Sequence, residues 1–444
     1  MTDLRHSVAA VLPQAQRDLV ELAQVPSLSC DPAHAADVRR AAELVAAHAQ
    51  AAGAADVQIV AAEGGAPAVL ASWPAPLGAP TVLLYAHLDV QPTGPVQEWT
   101  SPPFEPTERD GRLYGRGAAD DKAGVLMHLA VLRAFAGRPP VGVVLFVEGE
   151  EEIGSPTLTA LLAAHRDQLR SDVIVIADSA NASVDVPSFT TSLRGLVDGV
   201  VELRLLDRSA HSGMYGGPVG DALTALCRLL ATLHDETGDV AVKGLHVGTS
   251  GAPDLDPGAF AADVGLHGDL LGSGSLPDRL WHRPALSVLG MDVPSVAQAS
   301  NVLLPVARAL VSLRIAPGDD AASAMHALRQ HLIAAAPWGA DVTFTPGGAA
   351  EPYALEARGT VYDVARAAFG DAYGNAVVET GVGGSIPFIA EFARTYPGAT
   401  VLVTGVGDPA SRWHGIDESL HLGMWGKACL AEALLLQRLA DSRS

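Results

Sequence analysis

The chain opens with two runs whose apolar residues recur at helical spacing, residues 7–24 and 34–52, the second stopped by Gly53. Short runs apolar on both faces follow at 57–60, 82–86, 141–147 and 173–177, the pattern of strands buried between layers. Helical stretches separate them, including 123–135, and strands alternating with helices predict βαβ units and a largely parallel sheet. Near Phe189 the pattern changes. Residues 196–206 alternate like a strand with one wet face, 221–234 read as an amphipathic helix, and 237–294 is rich in Gly, Pro and Asp. Strand 307–315, helix 319–336 and strand 341–344 complete this part. After Gly347 and Gly348, helix 360–369, strand 400–404 and a terminal helix near 424–440 restore the first pattern. The expected fold is therefore α/β. A mostly parallel-sheet domain built from residues 1–188 and 349–444 is interrupted by an inserted α+β layer at 189–348.

Length and composition narrow the function. At 444 residues the chain exceeds one ordinary core, and its 48% hydrophobic content fills two or three. A net charge of −21 opposes a nucleic-acid or anionic-membrane partner, since either is repelled. No run has the length of a membrane span, and the start MTDLRHSVAAVLPQ lacks an uninterrupted apolar signal core, so a cytoplasmic protein is expected. The three cysteines, Cys30, Cys227 and Cys429, lie far apart and form no CxxC pair. That spacing points away from a disulfide framework and from a thiolate zinc site, and leaves His and carboxylates to hold any metal.

Such residues cluster where the strand pattern ends. LLYAHLDV delivers His87 and Asp89 at the end of an apolar run, and Asp89 is placed to orient the His87 ring. GRGAADDKAG carries Asp120 and Asp121 into a helix; without a third Gly, and with aspartates where a pyrophosphate sits, it is no dinucleotide fingerprint. VEGEEEIGS crowds Glu148, Glu150, Glu151 and Glu152 after a buried strand, a repulsion that cations relieve. IADSAN places Asp178 at another strand end, and SRWHGIDESL supplies His414. Two imidazoles with several carboxylates suit zinc, with manganese or cobalt as substitutes. Spacing alone does not choose Asp120 over Asp121, nor which glutamate is ligand and which is base.

With these motifs in hand, the chain resembles the co-catalytic zinc peptidases, the family of carnosinases, bacterial dipeptidases, glutamate carboxypeptidase, aminoacylase and the deacylases of arginine and lysine biosynthesis. The likeness runs through AHLDVQP, GRGAADDKAG, EEIGS, Asp178, AHSGMYGG with His211, GGSIP and His414, and is greatest to the dipeptidase and carnosinase branch. It implies a zinc ion on His87, Asp120 and Asp178, a second on Asp120, Glu152 and His414, and Glu151 as general base. It also implies that the inserted layer is a lid and dimerisation domain whose His211 stabilises the oxyanion in the partner's site, and that Arg314, Gly384 and Ser385 hold the substrate carboxylate. Charge counting agrees: four positive charges meet three carboxylates and a hydroxide, a nearly neutral centre. The expected function is a dinuclear zinc dipeptidase, homodimeric, acting on small peptides. An N-acyl amino acid deacylase or glutamate-type carboxypeptidase is the alternative within the fold, and an inactive metal-binding scaffold is the alternative outside enzymology.

Overall fold

The computed structural model describes residues 2–383 and 387–442 and divides into two compact units. The first comprises Met1–Thr191, Glu356–Glu379 and Pro387–Ser444; the second comprises Ser192–Leu355 and Thr380–Ile386.

A six-stranded sheet organises the first unit, in the order Asp56–Val60, Ala68–Trp73, Gly142–Glu148, Thr81–His87, Val173–Ile176, Thr400–Val403. The last four run parallel, and the first two add an antiparallel edge. The strands are apolar on both faces because both are covered. Val82, Leu84, Ala86, Val143 and Leu145 join a core with residues of helices Thr2–Ala23, Ala35–Ala51, Lys122–Ala134, Thr360–Tyr373 and Leu422–Asp441. On the other face Tyr85 and Phe146 pack with Phe392 of helix Pro387–Thr395, ring centres 5.4 to 6.1 Å apart. Parallel pairing brings the carboxyl ends of Thr81–His87, Gly142–Glu148 and Val173–Ile176 to one edge, with His87 directly opposite Glu148. A small sheet of Thr107–Arg109, Arg112–Tyr114 and Ser419–His421 flanks it. Its hairpin turns on Asp110 and Gly111, both at positive φ, the geometry that Asp-Gly favours.

The second unit is an antiparallel sheet ordered Ala285–Asp292, Val306–Ile315, Gly195–Arg204, Asp341–Ala350. Burial alternates along Gly195–Arg204 and Val306–Ile315, and the inward residues pack with helices Ala222–Ala231 and Ala321–Ala334. The Gly/Pro/Asp-rich stretch proves to contain a full strand, Ala285–Asp292, whose edge position leaves six of its eight residues exposed. All three cysteines are free.

Candidate metal centre

The site is assembled within the first unit. His87 closes its strand fully buried, and its Nε2 lies 3.1 Å from Asp120 Oδ1 and 3.9 Å from Asp178 Oδ2. His414, on the loop before Ser419–His421, places its Nε2 3.0 Å from Asp120 Oδ2 and 3.2 Å from Glu152 Oε2. Asp120 thus offers one oxygen to each imidazole. Glu151 joins His87 and Asp178 in a cluster whose donor atoms lie within 4.8 Å of one another, and His87, Asp120 and Glu152 form a second such cluster.

Neighbouring groups fix this arrangement. The buried Asp89 carboxylate accepts hydrogen bonds from the backbone N–H of Glu151 at 3.2 Å and of Glu152 at 3.0 Å, tying the glutamate turn to the strand end. Its Oδ1 also faces His87 Nδ1 at 3.4 Å, although the shorter approach to that nitrogen, 3.0 Å, is from its backbone carbonyl. Gln91, from the same LDVQP segment, donates to Glu152 Oε2 at 2.9 Å. Asp121 is buried and turns away from the cluster, accepting from the His87 N–H at 3.2 Å. Lys122 is buried too, its ammonium donating to Val25 O at 2.7 Å. Glu150 is occupied by Ala66 and Thr157, and Glu148 by the Tyr85 hydroxyl. Only Glu151 and Glu152 of the glutamate run therefore face the two histidines. Among the remaining histidines, His128 is buried between Glu432 and the Tyr85 carbonyl, a structural role.

Electrostatics mark the cluster as built for cations. Burial, then repulsion from Asp178, Glu152 and Asp89 working against the pull of His87, pushes Glu151 up to about 9. Burial, reinforced by Asp120 and Glu152, pushes Asp178 up to about 7. Hydrogen bonds to Asp120 and Glu152 raise His414 to about 10. Burial alone depresses His87, but Asp120 and Asp89 outweigh it and hold it well above its ordinary value. Without a cation this cluster retains protons that a divalent ion displaces, and its N and O donors fit such ions. The other His and carboxylate group, Asp18, Glu21 and His48, already has its cation, because Arg133 donates to Asp18.

Residues 83–438 match the sequence profile of peptidase family M20/M25/M40. A cysteinylglycine-S-conjugate dipeptidase of Corynebacterium striatum is 36% identical over 371 residues, 81% of this chain and 82% of that protein. The chain belongs to peptidase family M20. It is accordingly a metal-dependent hydrolase, as the residues at the sheet edge imply. Another relative of this M20 peptidase, the human Beta-Ala-His dipeptidase, is 31% identical over 270 residues, covering 57% of this chain and 53% of that one. The fold is shared with the solved structures of the dipeptidase Dug1p from Saccharomyces cerevisiae and of human carnosine dipeptidase 1. Both give TM-scores of 0.81, at 22% and 24% identity, over 99% of this chain and 98% of theirs.

His211 and Arg314 belong to the second unit of the M20 peptidase. His211 is exposed at the start of the turn Ser212–Tyr215, its Nδ1 accepting from the Gly213 N–H at 3.1 Å. Arg314 is half-buried on strand Val306–Ile315, and burial lowers its pKa. Gly384 and Ser385 lie outside the described residues. No described helix is long and apolar enough to cross a membrane.

Proposed function

We propose that this M20 peptidase is a dinuclear zinc dipeptidase, cytoplasmic and homodimeric, that hydrolyses small peptides bearing a free carboxylate. The observation that carries the reading is Asp120, which presents separate oxygens at 3.1 and 3.0 Å to the two imidazoles, as a carboxylate shared between two ions does. His87 and Asp178 complete one ligand set, and Glu152 and His414 the other. Zinc held there, or manganese or cobalt in its place, supplies Lewis-acid polarisation of the scissile carbonyl and lowers the pKa of water. Glu151 takes the proton of the attacking water and returns it to the leaving amine. Asp89 keeps Glu151 and Glu152 in place through their backbone N–H groups. Arg314, with Gly384 and Ser385, binds the free carboxylate of the substrate, and His211 of a second copy stabilises the developing oxyanion.

Identity to the Corynebacterium striatum dipeptidase over four-fifths of both chains supports dipeptides over other amides. Purified protein stripped of metal and reloaded with zinc, manganese or cobalt is to be screened against dipeptides, tripeptides and N-acyl amino acids. Dipeptide hydrolysis restored by two ions per chain is expected. Preference for N-acyl amino acids transfers the assignment to the deacylase reading, and activity that survives exhaustive chelation overturns the metal centre.

A further inference from the structure

The loop Arg412–Glu418 that carries His414 is held in a conformation its residues do not favour. Arg412, His414 and Asp417 have φ of 53°, 58° and 59°, the left-handed region that side chains with a Cβ rarely adopt. Such a loop persists only where contacts over-determine it. One set comes from Asp417, whose carboxylate accepts from the Thr100 N–H at 2.9 Å and hydroxyl at 2.7 Å. The other comes from Glu418. This carboxylate is fully buried, yet it touches no imidazole of the cluster. Its Oε1 accepts from the N–H groups of Ala119 at 2.9 Å and Asp120 at 3.1 Å, and its Oε2 from the Gly117 N–H at 3.1 Å and the Arg116 guanidinium at 2.6 Å. Arg116, also buried, donates onward to Pro92 O at 3.1 Å and Gly415 O at 3.2 Å. Three loops meet on this ion pair: the one after His87 and Asp89, the one ending at Asp120, and the one carrying His414.

We propose that Glu418, paired with Arg116, is a positioning residue that sets the separation of His414 from Asp120 and thereby the metal affinity of the centre. This rests on the metal-centre reading above. Four donors on one carboxylate leave no freedom for a neutral replacement. In Glu418→Gln either orientation of the amide turns two accepted bonds into opposed donors, at Ala119 and Asp120 or at Gly117 and Arg116. The segment bearing Asp120 then shifts against the His414 loop while every ligand side chain is retained.

The test is the dissociation constant for zinc and for manganese, measured by competition with a chromogenic chelator on the full-length protein, alongside near-UV circular dichroism. Glu418→Gln is expected to weaken the affinity roughly ten- to a hundredfold, as loss of a ligand-orienting partner does. Turnover in that variant should recover as manganese is raised past the new constant. Asp18→Asn, which removes the charge from the partly buried Asp18–Arg133 pair at the far end of helix Lys122–Ala134, is the control for lost stability alone and should bind metal like the wild type. Arg116→Lys, which keeps the charge but not the reach to Pro92 and Gly415, should weaken binding severalfold; it decides the question if Glu418→Gln does not fold. Wild-type affinity in whichever of the two folds, or a loss equal to that of Asp18→Asn, overturns the proposal. A wild-type protein that itself binds no metal overturns the metal-centre reading instead.

Discussion

Replacing Glu151 by Gln separates chemistry from binding more cleanly than any other change at this centre. The amide is nearly isosteric, and the turn Glu151–Ile153 is held through the backbone N–H groups bonded to Asp89, which the substitution leaves intact. The proposed ligand sets His87, Asp120, Asp178 and Asp120, Glu152, His414 are untouched, so metal content should stay at the wild-type value. The proton transfer proposed for Glu151 is lost. That step is worth about two to four powers of ten, which is ~3–5 kcal/mol of barrier, and no neighbour replaces it because Glu148 and Glu150 point into other hydrogen bonds. A second signature follows from the electrostatics. Burial and crowding raise Glu151 from 4.5 to about 9, so in the metal-free protein its contribution to stability is fully present below pH 4.5 and is lost as pH rises from there through about 9. Gln carries no such loss. The metal-free variant should therefore melt above the metal-free wild type, with a gap that opens from pH 4.5 towards pH 9. The assays are steady-state hydrolysis of a dipeptide with metal content measured on the same sample, and thermal melts of the stripped proteins across pH. A turnover within tenfold of wild type at full metal occupancy would refute the assignment of the base.

Metal binding at pH 7 should release protons, because Asp178 at about 7, Glu151 at about 9 and His414 at about 10 retain them in the metal-free cluster. Titration calorimetry in buffers of different ionisation enthalpy should show this release and an affinity that climbs from pH 7 to 9, and a pH-independent affinity contradicts it. Mixed His211→Ala and Glu151→Gln chains, each inactive alone, should regain activity as heterodimers with up to one intact composite site, whereas proven subunit exchange without recovery places His211 outside the partner's site. Trp425 is fully buried and donates from Nε1 to Ala123 O at 3.0 Å, so Trp425→Ala should cost about 3–5 kcal/mol in denaturant unfolding of the metal-free protein, and a loss under 1 kcal/mol contradicts the packing described.

The strand ends were legible because burial on both faces leaves long apolar runs, and His87, Glu151, Glu152 and Asp178 stand out where each run stops. The choice of Asp120 over Asp121 was not, since two adjacent carboxylates look alike until the backbone turns one to the histidines and the other to the His87 N–H. Glu418 escaped notice for a related reason: in HGIDES it reads as a solvated loop acid, and only the fold brings the donors of Gly117, Ala119 and Asp120 to it. The hairpin at Asp110-Gly111 did carry an Asp-Gly turn signal, between segments too brief to read as strands. Strand Ala285–Asp292 was hidden by Pro284 and Pro294 on either side and Gly290 within it, and strand Ala68–Trp73 by its alanines, which carry little strand preference.

The order in which the central sheet is completed has a consequence for synthesis. Strand Val173–Ile176 gains its outer neighbour, Thr400–Val403, only after more than two hundred further residues, most of them the inserted unit, have been made. At ribosomal speeds of roughly 5–20 residues per second, the row Val-Ile-Val-Ile waits on the order of ten to fifty seconds with its backbone groups unpaired. An uncharged, β-branched edge of that kind recruits other strands, including those of neighbouring nascent chains. Chains that terminate before Thr400 should therefore aggregate rather than accumulate as a soluble half-enzyme, and the yield of the whole protein should depend on how well chaperones shield that edge during the wait.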